Sequence, residues 1–229
     1  MTPTPTAIVT GASRGLGLAL ARELVERGWR LVIDARDLPS VPAELARGEV
    51  VAMAGDVSAF THRRALVATA GERIDLLVNN ASELGPSPLP ALADYPLGAL
   101  ERVYRVNVLA PLALAQLALP RMPEGARILN ISSDAAVEAY EGWGGYGSSK
   151  AALDQVSAVL AAENPALRIY SVDPGDMRTR MHQDAFPGED ISDRPLPEES
   201  LPGLVELIDG ELPSGRYSAR ELTQAGAAR

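Results

Sequence analysis

The chain has 229 residues, of which 46% are hydrophobic and 22% charged, a balance that suits one globular domain with a sizeable core. Thirty acidic residues against 21 Lys plus Arg give a net charge of -9 and a pI near 4.8, so no partnership with nucleic acid or an anionic membrane is expected. There is no cysteine and histidine occurs only at His62 and His182, which excludes disulfides, thiolate chemistry and cysteine-based metal sites, and no metal centre is expected.

The N-terminus, "MTPTPTAIVTG", shows no basic region followed by an apolar stretch, and no apolar run of 18 residues is read anywhere, so a cytoplasmic, non-membrane protein is expected. Short β-branched, apolar runs then alternate with longer helical patterns. "TAIVT" (6–10), "RLVID" (30–34), "EVVAM" (49–53), "IDLLVN" (74–79), "ARILNIS" (126–132) and "LRIYSV" (167–172) read as strands buried on both faces. Alternation of this kind predicts an α/β, Rossmann-like doubly wound sheet over residues 1–229.

Between the first strand and a helix over about Leu18–Arg27 lies "TGASRGLG", whose glycines at 11, 15 and 17 stand where a phosphate could meet exposed amides at a helix N-terminus. Taken alone, the motif favours cofactor binding and also fits a simple tight turn. Gly28 ends this helix as a left-handed terminator. Pro111 interrupts the long apolar stretch "LGALERVYRVNVLAPLALAQLALP", and its missing amide should kink or divide that helix. The apolar surface of the same helix suggests a partner subunit. Residues 173–201 are rich in proline and charge and lack either period, the mark of a functional loop or a disordered one.

Further along, Tyr146 and Lys150 stand four apart on the helix "YGSSKAALDQVSAVLAAE", so both project from one face. An ammonium there would favour the phenolate and lower the tyrosine's pKa, as proton transfer requires. The preceding strand ends in "NISS", at the carboxyl edge where open parallel sheets bind ligands. "NNAS" after the fourth strand and Asn107 inside the apolar helix add polar groups near the same edge.

At these residues the chain resembles the short-chain dehydrogenase/reductase family, in "TGASRGLG", "GDVS" (55–58), "NNA" (79–81), Asn107, Ser133, "YGSSK" and "DPG" (173–175). Ser133 thirteen residues before Tyr146, with Lys150 four after it, is the specific part of the match. The resemblance implies a sheet of about seven mainly parallel strands and an enzyme that interconverts a small-molecule carbonyl and an alcohol by hydride transfer. It implies Tyr146 as acid/base, Ser133 as the hydrogen-bond donor to the substrate oxygen, Lys150 on the nicotinamide ribose, and Asn107 on a water of the proton relay. For the cofactor it implies Gly11, Ser13, Arg14, Gly15, Leu16 and Gly17 in the loop, then Arg36, Asp56, Val57, Asn79, Asn80 and Ala81, then Tyr146, Lys150, Pro174, Gly175 and Thr179. A homodimer or homotetramer is the family's usual assembly, and 173–201 becomes a lid over substrate and cofactor.

The choice of nicotinamide cofactor turns on "LVIDARD". Asp34 resembles the carboxylate that holds ribose hydroxyls in NAD enzymes, but family spacing from Gly17 puts that position on Ala35, and neighbouring strand residues face opposite ways. Arg36 and Arg14 then suit a 2′-phosphate, which favours NADP(H) over the alternative NAD(H). Substrate contacts are expected among Ser82, Glu83, Tyr140, Trp143, Met181, His182 and Phe186. The rival function is a nucleotide-binding redox sensor or scaffold with little turnover.

Overall fold

The computed structural model describes residues 4–37, Leu45 and residues 49–227. Each of the six apolar runs forms a strand: β1 (Thr6–Val9), β2 (Arg30–Ala35), β3 (Val50–Ala54), β4 (Leu76–Asn79), β5 (Arg127–Ile131) and β6 (Arg168–Asp173). A seventh, β7 (Gly215–Ser218), was not marked by an apolar run, because its sequence GRYS lies on the sheet edge and is half open to solvent. All pair in parallel in the order β3-β2-β1-β4-β5-β6-β7.

Alternation within each strand feeds two cores. Ala7 and Val9 of β1 face Leu20 and Leu24 of α1 (Gly15–Glu26), together with Leu204 and Leu207 of α7 (Leu201–Asp209) and Ala219 of α8 (Ala219–Ala227). Ile8 faces Leu66 of α2 (Phe60–Ala70), Leu114 of α4 (Ala110–Ala118) and Leu160 of α5 (Gly144–Glu163). Each such leucine, buried, contributes about 1.5–3 kcal/mol relative to an exposed one. The sheet is therefore covered on both sides, and its strand order reverses between β1 and β4. Ligands of such sheets sit at that switch point, outside the carboxyl ends of the strands.

The long apolar helix is divided as its proline requires. Residues Leu97–Tyr104 form α3, Arg105–Leu109 form a π-helical turn closed by Ala110 N–H to the Arg105 carbonyl, and Pro111 enters the first turn of α4. Pro111 has no amide to offer the Asn107 carbonyl four residues earlier, so the regular ladder is broken at the residue of interest. Taken together, Leu97–Arg121 is long and apolar enough by length and composition to cross a membrane, contrary to the expectation of no such run. Half of its most apolar 18-residue window is buried inside the protein.

Helix α1 starts three residues before the apolar pattern does, because its first turn, Gly15–Gly17, carries two glycines that read as loop. The segment after β6 is more ordered than its composition suggested: α6 (Arg180–Ala185) is capped by the Thr179 hydroxyl, which accepts His182 N–H at 3.2 Å, and a 3-10 turn spans Pro197–Ser200. Six residues are too few to display a 3.6-residue period.

Candidate active site

A cleft of about 1050 Å³ runs along the carboxyl edge of the sheet, from Arg14 and Arg36 at one end to Trp143 and Phe186 at the other. Its floor is the glycine loop. Gly11 and Gly15 have φ of 67° and 56°, a region that other residues rarely adopt, and a Cβ on Gly17 would stand 2.4 Å from Asn80 Nδ2 and 2.6 Å from the Gly11 carbonyl. The "NNA" segment holds this loop in place. Thr10 Oγ1 accepts the Asn80 and Ala81 amides at 3.0 Å, and Asn80 Nδ2 donates to the carbonyls of Thr10 (2.8 Å) and Gly11 (3.2 Å). Ser13, Arg14, Gly15 and Leu16 face the cleft, and Thr179 packs over Gly15 from the far wall beside Pro174 and Gly175.

Asp34 belongs to the loop. Its Oδ1 accepts the Gly11 amide at 2.6 Å and its Oδ2 lies 3.1 Å from His62 Nε2, with the residue only 2% exposed. Arg36, the first residue past the end of β2, has a side chain 59% exposed that lies 3.5 Å from Glu83 Oε2, while Arg14 has no ion pair among the described residues. Arg102 of α3 joins the same end, 3.6 Å from Glu83 and 3.5 Å from Asp56 Oδ2. The Asp56 carboxyl also accepts Ser58 N–H at 2.8 Å; burial alone would raise its pKa, but the Ser58 hydrogen bonds and Arg102 outweigh it and hold the group below its ordinary value. Asp56 thus both caps the turn before α2 and faces the cleft beside Val57. Glu83, expected as a substrate contact, points instead toward the arginines.

At the centre stand Ser133, Tyr146 and Lys150. Ser133 follows β5 and caps a 3-10 turn, its Oγ accepting Ala135 N–H at 3.2 Å and donating to Asp134 Oδ1 at 2.9 Å. Ser82 and Ser133 stand beside the Tyr146 hydroxyl in the cleft. Burial pushes its phenol well above the ordinary value, the Ser82 and Ser133 bonds and the Asp173 and Asp134 charges being smaller effects. The expected depression by Lys150 is therefore overridden within the protein itself. Lys150 Nζ lies 5.4 Å from the Tyr146 ring centroid and donates to the Ile131 carbonyl at 2.7 Å; burial brings its pKa down to about 8 against the opposing charge of Asp154.

Three expected residues stand behind the cleft wall. Asn107 is 1% exposed on the π turn: its Oδ1 accepts Glu83 N–H (2.8 Å) and the Ser82 hydroxyl (3.2 Å), and its Nδ2 donates to the Glu83 carbonyl and Ser149 Oγ, both at 2.9 Å. All its side-chain capacity is used in tying the "NNAS" segment to α5. Asn79 lies within the sheet, its Nδ2 donating to Asn130 Oδ1 at 2.7 Å, and Asn130 Nδ2 donates to Ser157 Oγ at 2.8 Å. Gly17 is enclosed by Asn80 and the Gly11 carbonyl.

At the substrate end, Leu84, Ala135, Tyr146 and Ala185 form a small apolar cluster with Leu89, Trp143, Met181 and Phe186. Tyr140 donates to Asp134 Oδ2 at 3.0 Å, and His182 Nε2 accepts Arg194 Nε at 3.3 Å. Asp134, Arg102, Asp154 and Arg216 carry no motif that marks them in the sequence. Lys150 does carry a signal: it is the only lysine beside twenty arginines, in a position where an amine able to lose its proton does what a guanidinium cannot.

The parallel sheet, its switch point and the glycine loop at the helix N-terminus define a doubly wound, dinucleotide-binding class of protein. A short chain dehydrogenase family model matches residues 5–190. The rhamnolipids biosynthesis 3-oxoacyl-[acyl-carrier-protein] reductase of Pseudomonas aeruginosa is 37% identical over 231 aligned positions, covering 94% of this chain and 84% of that one. A Pseudomonas syringae structure assigned to the short chain dehydrogenases superimposes with a TM-score of 0.87 at 30% identity, over 94% of each chain. An Escherichia coli structure with the same assignment, complexed with NADPH, gives a TM-score of 0.84 at 25% identity, over 94% of this chain and 96% of that one. This chain belongs to the short-chain dehydrogenase/reductase family, and it is an NAD(P)(H)-dependent oxidoreductase of small-molecule substrates.

Proposed function

We propose that the protein interconverts a ketone or aldehyde and the corresponding alcohol with NADP(H), Tyr146 serving as acid/base. The observation that carries this is the buried Tyr146 hydroxyl within reach of Ser133, one helical turn from the sole lysine, in the same cleft as the glycine loop. That cleft fits a dinucleotide: Gly11 and Gly15 line it without side chains, and a Cβ at Gly11 or Gly17 would meet backbone within 3 Å. NADP(H), when bound, supplies or accepts the hydride. Arg36 and Arg14 would hold the 2′-phosphate, a preference supported by Asp34, whose two carboxyl oxygens are both taken up by Gly11 and His62.

In the reductive direction Ser133 and Tyr146 donate hydrogen bonds to the substrate oxygen, and Tyr146 passes its proton to it. The raised pKa of Tyr146 keeps that proton in place at neutral pH. Lys150 orients the ribose hydroxyls, and the Asn107 carbonyl, to which Pro111 offers no amide, takes the water that leads from Lys150 to solvent. Trp143, Met181 and Phe186 favour a substrate with an apolar body. Exposed Leu97, Leu109 and Val159 on α3, the π turn and α5 support a homodimer or homotetramer through these helices.

The test is NADPH oxidation against a panel of aldehydes, ketones and quinones, with Tyr146→Phe beside the wild type. The variant should lose at least ~10²-fold in kcat while its NADPH fluorescence titration is unchanged. Near-normal turnover in the variant would remove Tyr146 from its role, and tight NADPH binding without turnover on any panel member would favour the redox-sensor reading.

A further inference from the structure

Arg216 stands on β7, beyond the last residue that the family model matches. Its Nε donates to Asp154 Oδ2 at 3.0 Å, its Nη2 donates to the main-chain carbonyl of Ser133 at 3.0 Å, and the same Nη2 lies 4.0 Å from Asp173 Oδ2. A guanidinium fork engaged at two points fixes both position and angle, which a single ammonium does not. Asp154 is one turn beyond Lys150 on α5. Its Oδ1 accepts the hydroxyls of Ser132, at 2.5 Å, and Ser171, so the carboxylate ties α5 to the ends of β5 and β6. One arginine therefore touches the residue that carries the catalytic serine and the carboxylate nearest in sequence to the catalytic lysine.

We propose that Arg216 and Asp154 form a positioning pair for the reacting groups: Arg216 fixes the main chain of Ser133, and Asp154 sets a negative charge one helical turn beyond Lys150, each oriented by the other. The inference rests on the reductase reading above for the consequence in turnover, but not for the consequence in charge. Around Tyr146 and Lys150 the charged groups are Asp154 from α5 itself, Asp134 from the turn after β5, Asp173 from β6 and Arg216 from β7. Asp134 and Asp173 act on Tyr146, whereas Asp154 is the charge that acts on Lys150, and Arg216 is ion-paired with Asp154 at 3.0 Å. Without Arg216 the Asp154 charge is no longer offset and the Lys150 proton is held more tightly; without the Asp154 charge the proton is held less tightly.

Lys150 being the only lysine, a protein grown with 13Cε-lysine gives one signal whose titration midpoint is read directly, with no turnover required. Asp154→Asn should lower that midpoint by about one pH unit and Arg216→Gln should raise it by a similar amount. Loosened packing would instead wet Lys150 and raise the midpoint in both variants. Arg216→Lys, which keeps the charge but not the fork, should return the Lys150 midpoint to that of the wild type, the new exposed lysine titrating near its ordinary value. With the best carbonyl substrate from the panel, Arg216→Gln should lose about tenfold in kcat while the NADPH dissociation constant stays within twofold, and Arg216→Lys should recover only part of that loss. An Asp154→Asn midpoint that is unchanged or raised overturns the charge role. Equal losses in kcat and NADPH affinity for Arg216→Gln overturn the positioning of Ser133. Absence of turnover in the wild type would count against the reductase reading while leaving the lysine midpoints to judge the pair.

Discussion

Replacing Asp34 by alanine separates two meanings of an acidic residue at the end of β2. If Asp34 held ribose hydroxyls, its loss would weaken NADH binding selectively; in the structure it holds the Gly11 amide at 2.6 Å and His62 at 3.1 Å. The carboxylate is 2% exposed, so alanine leaves the Gly11 N–H and the imidazole without their partner in a place water reaches poorly. A hydrogen bond to a charged group contributes about 1.5–3 kcal/mol, partly offset here by relief of the buried charge, so the expected loss of stability is about 2–4 kcal/mol. For a chain of this length each kcal/mol lowers Tm by about 2–4 °C, which puts the fall at about 4–16 °C. Differential scanning calorimetry measures it, and fluorescence titration should show NADPH and NADH weakened by the same factor, since the disturbed loop is common to both. Arg36→Ala is the counterpart: it should raise the NADPH dissociation constant about 10- to 100-fold, the equivalent of one charge-assisted contact, with little effect on NADH and on Tm. A selective loss of NADH affinity in Asp34→Ala, with unchanged stability, would refute the assignment of both residues.

Two further outcomes follow from packing and from charge. Gly17→Ala forces a methyl group to within 2.4 Å of Asn80 Nδ2 and 2.6 Å of the Gly11 carbonyl, so it should cost about 1–3 kcal/mol and weaken NADPH binding, whereas Gly28→Ala, with φ of 79° and nothing within 4 Å, should cost about 1 kcal/mol and leave binding alone. Equal effects on binding would mean that the loop is not the cofactor floor. Lys150, lowered by burial to about 8 from a reference near ~10.4, binds fewer protons folded than unfolded between those values. Its cost to stability is therefore fully present below pH 8 and relieved as pH rises toward ~10.4, so the wild type should gain on the order of 3 kcal/mol over Lys150→Met across that window. Urea unfolding of both proteins at several pH values measures the difference, and a flat difference would show that the ammonium is not buried at such cost.

Strand positions and the order of the chemical motifs were legible in the sequence because both depend on local pattern. A parallel strand covered on two faces must be apolar along its length, and a glycine loop, a Ser–Tyr–Lys spacing and a proline in a helix each act within a few residues of themselves. β7 and α6 escaped because one is an open edge strand and the other is a single capped turn and a half. What Asp34, Glu83 and Asn107 touch could not be read in the same way. Asp34 bonds Gly11 across 23 residues, Asn107 bonds Ser149 across 42, and Arg216 reaches Ser133 across 83. Sequence by itself determined which groups are available for proton transfer and cofactor binding. Only the tertiary structure decided their partners and their charge, because burial, which raises Tyr146 and lowers Lys150, and long-range hydrogen bonds come into being when distant strands are brought to one edge of the sheet.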